Sequence, residues 1–261
     1  MKYLQPKCIV HGSPLLSVNA QLHRETLDAL YRYVNKHVYL VDVVILNEVE
    51  VIPTWLHVPQ LTNRVDRFHA TVRISGSYDP DLYSNLEETH RYKGFSAMSR
   101  AAPAMHWVLF SVLERFLLVG PVPKWHAQRD REVSIKTFII DVCTPPSISP
   151  GRFGAPQSAD TFDQSFNPNH VLSPTYLYEF IKANVRWLLD MGQHSSEFGA
   201  ILYEHIGRVT MAFDGLEKHT FDLAEELKRL RFRDGFSGNE LEFQKWREGA
   251  KLKRCRLGLP I

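Results

Sequence analysis

The stretch Val38-Tyr-Leu-Val-Asp-Val-Val-Ile-Leu46 is dominated by Val, Ile and Leu and reads as a buried β-strand. On its amino side, residues 20 to 37 set Leu22, Thr26, Leu27, Leu30, Tyr33 and Val34 at three- and four-residue spacings, the period of an amphipathic helix. On its carboxyl side, Asn47-Glu48 supplies a turn into a second strand, Val49 to Val58. Pro53 and Pro59 confine that strand to a sheet edge, because proline has no N–H to donate to a ladder. Arg67 to Ser75 alternates well enough to be a third strand.

Farther out, helices and strands interleave. Asp79-Pro80 caps and opens a helix running to about His90. A longer helix starts near Ser96, restarts at Pro103 and continues through Leu118, with Trp107, Phe110, Leu113 and Leu117 on one face. Glu132 to Val142 alternates as a half-buried strand. Ser173-Pro174 opens a helix to about Met191 whose stripe is Tyr176, Phe180, Ala183, Trp187 and Leu188. Ser195 opens another, ending at Gly207, and Arg208 to Phe213 is a short strand closed by the Asp214-Gly215 turn. Two further helices are expected near 221 to 232 and 239 to 248, the second with Asn239 and Glu242 at capping-box spacing.

The fold class is therefore α+β, a small mixed or antiparallel sheet packed by several helices. One domain covers residues 1–248. Thr144 to Ser173 has little periodicity and carries Pro145, Pro146, Pro150, Pro156 and Pro168, so it is expected to be a long exposed, mobile loop within that domain. Such proline-rich chain favours extended conformations that groove-shaped partners recognise. Residues 249–261 form a basic tail.

Composition bounds the function. The chain has 261 residues, 44% of them apolar, enough for a full core, and its net charge of +2 is too mild for its whole surface to bind polyanions. The charge is local instead. Residues 245–261 contain Lys245, Arg247, Lys251, Lys253, Arg254 and Arg256 against the single acid Glu248. Clustered cations of this kind meet nucleic acid, an anionic membrane surface or a nuclear import receptor, and Leu257, Leu259 and Ile261 add apolar help at a bilayer. Cys8, Cys143 and Cys255 are odd in number and far apart, which points to a reducing compartment rather than a disulfide framework. Pro6 and Lys7 break the apolar start expected of a signal peptide, and Met105 to Gly120 is too short and too charged to span a bilayer. A soluble or membrane-peripheral protein is expected.

Catalytic motifs have little support. The twelve histidines never pair at metal-ligand spacing on one element. His205 and Arg208 lie one turn apart and Arg100 precedes His106 on a helix, which resembles the Arg-to-His spacing of some helical ribonucleases, but a solvated helix face explains both. Asp130, Glu132 and Lys136 resemble the acid, acid and lysine of metal-dependent nucleases. However, Glu132 and Lys136 stand four positions apart, where that chemistry uses two. A non-enzymatic protein without cofactor or metal is expected, with a metal-dependent nucleic-acid-processing enzyme as the alternative.

The order of elements carries a resemblance. A strand at Phe68-His-Ala-Thr-Val-Arg-Ile-Ser75, a helix from Asp81, Tyr92-Lys-Gly94, a long apolar helix, Gly120-Pro-Val-Pro123, a strand from Glu132 and Thr144-Pro-Pro146 together resemble the core of rhabdovirus matrix proteins. His194-Ser-Ser-Glu-Phe198 with the helix and strand after it is a second echo. About half of the chain is involved. The lysine-rich amino terminus and the Pro-Pro-x-Tyr motif of animal-virus members are missing, residues 1 to 65 match nothing, and the basic cluster lies at the opposite end. The resemblance implies a self-associating virion protein that condenses a ribonucleoprotein against the inner face of an anionic membrane. It also implies a place in the host cytoplasm or nucleus, where Lys251-Leu-Lys-Arg254 would suit import. In that picture Lys245, Arg247, Lys251, Lys253, Arg254 and Arg256 make the polyanion contacts, while the 144–173 loop reaches a neighbouring subunit or a host protein. A host-directed viral or microbial effector that binds a cellular protein through that loop is the other alternative.

Overall fold

The computed structural model describes residues 38–48, 50–58, 63–77, 132–155, 167, 169–192, 195–232, 236 and 238–261, together with Gln21, Leu113 and Leu117. Its centre is a six-stranded mixed sheet. In chain order the strands are β1 (Val38–Leu46), β2 (Glu50–His57), β3 (Arg64–Ser75), β4 (Ser134–Val142), β7 (Ile206–Phe213) and β8 (Leu216–Asp222). A separate pair, β5 (Phe153–Gly154) and β6 (Val171–Leu172), lies between β4 and β7 in sequence. The spatial order is β2-β1-β3-β4-β7-β8, with β1, β3, β4 and β7 parallel and an antiparallel hairpin closing each edge.

Both hairpins have turns in the left-handed region that suits the twist of paired strands. Asn47 and Glu48 turn at φ 51° and 62°, and Asp214-Gly215 at 49° and 78°. As its prolines require, β2 is an edge strand, and Pro53 stands opposite Val43 within it. Strand β8 was not expected. Only Phe221 of its seven residues is buried, so it has no apolar alternation to reveal it.

Residues paired in register share one side of a sheet and alternate along each strand. One side therefore carries Tyr39, Val41, Val43 and Ile45, then Phe68, Ala70, Val72 and Ile74, then Phe138, Ile140 and Val142, then Val209, Met211 and Phe213. Nearly all are buried and belong to the main core, and Phe68 stacks edge-on against both Trp55 and Phe138. The opposite side carries Asp42, Arg67, His69, Thr71, Arg73, Thr137, Asp141, Arg208 and Thr210. The polar chemistry of the sheet is gathered there.

Helix α1 (Pro174–Leu189) begins at the expected Ser173-Pro174. Its inward stripe is Leu177, Tyr178, Ile181, Val185 and Leu189, one position round from the stripe expected from sequence; Ala183 is exposed. Both stripes contain large apolar residues, and the winner is the one that meets the apolar side of the sheet, where Tyr178 packs edge-on against Phe213. Helix α2 (Ser196–His205) crosses the end of α1 and is tied to it by the buried Tyr203 hydroxyl, which donates to the Leu189 carbonyl at 2.9 Å. Helix α3 (Leu223–Arg229) is capped by Asp222, whose carboxylate accepts from Ala224 N and Glu225 N. Helix α4 (Glu240–Leu257) has the expected Asn239/Glu242 capping box but runs nine residues past 248 before Gly258, at φ 74°, ends it. A separate tail from 249 is thus corrected: Ala250 and Leu259 are buried, and residues 249–257 are folded helix.

The described ends of the 144–173 segment are also built into the fold. A 3-10 turn at Pro150–Arg152 leads into β5, which pairs with β6, and Val171 and Leu172 are core residues. Residues 156–166 of the loop, the expected helices over 20–37, 81–90 and most of 96–118, Cys8, Asp130, Arg100 and His106 lie outside the described residues.

Gly199 sits where α2 meets α1, and a Cβ there would collide with the Leu188 carbonyl oxygen. Gly199→Ala is expected to cost about 2 kcal/mol through overpacking against backbone that cannot step aside. Urea denaturation would measure it, and an unchanged midpoint would mean that the two helices separate without cost.

Candidate functional site

Five of the six candidate polyanion residues are engaged by the protein itself. Arg254 is fully buried. Its guanidinium donates to the carbonyls of Tyr203 and Ile206 at the carboxyl end of α2, and Nε donates to the Pro260 carbonyl at 2.7 Å. The last carbonyls of a helix lack partners and carry the negative end of its dipole, so a cation placed there satisfies both demands. Burial pulls the Arg254 pKa down to about 10, opposed by Asp222 and Tyr203, so the group stays charged at neutral pH. The expectation that Arg254 touches a polyanion is corrected by its inward position.

Lys253 bridges Glu204 at 2.8 Å and Glu132 at 3.1 Å, and Arg256 reaches the other oxygen of Glu132 at 2.8 Å. Trp246 Nε1 donates to the remaining Glu204 oxygen at 3.1 Å. Burial acts to raise Glu132, but Lys253 and Arg256 outweigh it and hold the carboxyl below its ordinary range. The same pairing holds Lys253 above its ordinary range despite burial, which acts to lower it. Arg247 lies over the Phe243 ring and donates to the Leu230 carbonyl at 3.3 Å, and Lys251 pairs with Glu248 at 2.7 Å. Lys245 is exposed and has no partner among the described residues.

These contacts leave α4 with two unlike faces. Phe243, Ala250 and Arg254 turn inward. Outward, one stripe at helical spacing holds Leu241, Lys245, Glu248, Leu252, Cys255 and Arg256, with Leu241 64% and Leu252 74% exposed. Ile261, 51% exposed, follows the helix. Among the described residues no helix is long and apolar enough to cross a membrane.

A second polar constellation occupies the carboxyl ends of the parallel strands. Asp42 receives a two-pronged contact from Arg73, at 2.6 Å and 3.2 Å, and a 3.1 Å hydrogen bond from Thr71. On the next strand Asp141 accepts from Gly215 N at 3.0 Å and stands 3.5 Å from His69 Nε2. Asp214 accepts from both the N and Oγ1 of Thr144. Cys143 lies among these carboxylates, and burial followed by Asp141, Asp214 and Asp42 pushes its thiol up to about 11, so it is not a ready nucleophile at neutral pH. Among the described residues no three His, Cys, Asp or Glu side chains are placed to hold one metal ion.

Sequence reasoning passed over this constellation, although two signals mark it. Asp42 and Asp141 interrupt apolar strands, and Arg67-x-His69-x-Thr71-x-Arg73 is a polar set at strand period. Of the nuclease-like trio, Glu132 is held by Lys253 and Arg256 and Lys136 is on the other side of the sheet from Thr137, while Asp130 lies outside the described residues. His205 is buried, its Nδ1–H donating to the Val133 carbonyl at 2.8 Å, whereas Arg208 lies beyond it on β7.

The fold and these contacts describe an α+β protein whose basic helix is part of its framework. Comparison with protein-family models, with curated proteins and with solved structures finds no match.

Two consequences can be measured. Arg254→Ala strips three carbonyls of a charged donor and opens a cavity, so it is expected to cost at least about 3 kcal/mol in urea unfolding, with Arg254→Lys recovering only part. His205 is held below its ordinary pKa by burial, so the unfolded chain binds the proton more readily than the folded one. Stability is then fully present above about pH 6.5 and declines as pH falls below it. Unfolding midpoints at successive pH values would show the decline, and His205→Gln would remove that component of it.

Proposed function

We propose that the protein is a non-enzymatic structural adaptor that lies on an anionic membrane through the outward stripe of α4, self-associates there and presents its sheet to a ribonucleoprotein. The resemblance to rhabdovirus matrix proteins supports the same reading. The observation that carries it is the exposure of Leu241 and Leu252 beside Lys245 and Arg256 on one rigid, doubly capped helix. Laid in the interface plane, the helix would turn these leucines toward the acyl boundary and its cations toward the headgroup phosphates.

The magnitudes favour assembly. Each leucine contributes about 1.5–3 kcal/mol if fully buried, and each nearby cation about 1 kcal/mol. Glu248 in the stripe and the Glu132–Arg256 pair subtract from the electrostatic part. One copy is therefore held weakly and reversibly, and an array of copies gains firm attachment through avidity.

Flotation of the full chain with anionic and neutral vesicles, at low and physiological salt, tests this. Truncation before α4 ends would remove Arg254, so point variants are the proper comparison. Binding should require anionic lipid, weaken with salt, and fall about a hundredfold in Leu241→Asp/Leu252→Asp, with a smaller loss in Lys245→Glu. Equal flotation of the leucine double variant and the natural chain would sink the proposal.

A further inference from the structure

The polar side of the sheet contains two arginines, Arg67 and Arg208, that form no ion pair among the described residues. Arg67 on β3, Thr137 on β4 and Arg208 on β7 are register partners and therefore form one straight row. The two arginine Cα atoms are two strand spacings apart, about 10 Å, so both side chains can reach a group seated above Thr137. Arg208 Nε donates to Thr137 Oγ1 at 3.0 Å, which steadies the guanidinium and leaves its two terminal nitrogens free to donate elsewhere. Arg67 is exposed and has no hydrogen-bond or ion-pair partner among the described residues.

The carboxylates of this region are already committed. Asp42 belongs to Arg73 and Thr71, Asp141 to Gly215 N and His69, and Asp222, which faces Arg208 in register, caps α3. Neither arginine forms an ion pair among the described residues, although Asp222 stands beside Arg208, and an incoming anion meets a paired hydroxyl and two guanidinium forks, the geometry that suits phosphate oxygens.

We propose that Arg67, Thr137 and Arg208 seat a backbone phosphate of a single-stranded nucleic acid. Both arginines are exposed, so the contact is made at the surface. On this side of β1, β3, β4 and β7 no described residue is Phe, Tyr or Trp, so no stacking platform for bases accompanies the row. The contact reads the phosphate backbone and is indifferent to base sequence. This seat is separate from the α4 stripe and does not rest on the membrane proposal.

The test is fluorescence anisotropy of the full chain with a labelled oligouridine across a salt series. Arg67→Glu/Arg208→Glu is compared with the charge-matched control Lys218→Glu/Arg231→Glu, whose parent residues are likewise exposed. The first pair should weaken binding at least tenfold and lower the salt slope by about 0.7, the value for one phosphate contact on a single strand. The control should change neither by more than a small factor, and vesicle flotation of the first pair should match the natural chain. Absence of oligouridine binding, equal losses in both pairs, or complete displacement by inorganic phosphate at matched phosphate concentration would each overturn the assignment. Loss of flotation with oligouridine binding intact would do so too, because the row would then serve lipid headgroups.

Discussion

The guanidinium of Arg254 ties together the carboxyl end of α2, the start of β7 and the segment after α4. It closes the carboxyl end of α2, holds α4 against it, and fixes the Pro260 carbonyl beyond the helix. A buried charge is costly unless its donors are used, and here three carbonyls use it, two of them at the electronegative end of a helix. Around this contact the other polar groups fall into place. Lys253 and Trp246 share Glu204, Arg256 and Lys253 share Glu132, and Ser134 Oγ reaches the Leu257 carbonyl at the start of β4. The cations that make the segment look like a free basic tail are what attach it.

The sheet divides its labour by side. One side is apolar and supports α1. On the other, alternate positions carry arginine, histidine, threonine and aspartate, and most of these satisfy one another. The Arg73–Asp42 ion pair and several hydroxyl and backbone hydrogen bonds engage the carboxylates, leaving Arg67 and Arg208 without ion pairs among the described residues near the amino half of β3 and β7. That surplus follows from strand register. A shift of one residue in β3 would turn Arg67 and Arg73 into the core and expose Phe68 and Val72.

Much of the architecture was legible. Val38–Leu46 is a long apolar run, Glu132 to Val142 carries an alternating pattern, Asn47-Glu48 and Asp214-Gly215 are turn pairs, Pro53 marks an edge, and the Asn239/Glu242 box marks a helix start. Each is a local signal with a local cause. Three features were not legible for the opposite reason. Strand β8 is held by pairing with β7 rather than by an apolar pattern. The inward stripe of α1 was decided by the sheet it meets. The fate of Lys253 and Arg256 depends on Glu132 and Glu204, and that of Arg254 on the carbonyls of Tyr203 and Ile206, all partners far away in sequence. The Arg67–Thr137–Arg208 row is of the same kind, since it exists only once three separate strands lie side by side.

The parallel centre of the sheet also sets how the chain reaches its native state. Each edge hairpin closes across a turn of a few residues and can form within about 1–10 μs. The central joins are different: Thr137 and Arg208 meet across a sequence separation of 71 residues. The entropy of closing such loops is spent before any contact repays it, which places sheets of this kind among the slower folders. Until β3, β4 and β7 zip together, the hairpins carry their apolar sides and open edges unprotected. The period of greatest exposure to aggregation is thus built into the strand order itself, and at high chain concentration that interval decides how much protein survives to fold.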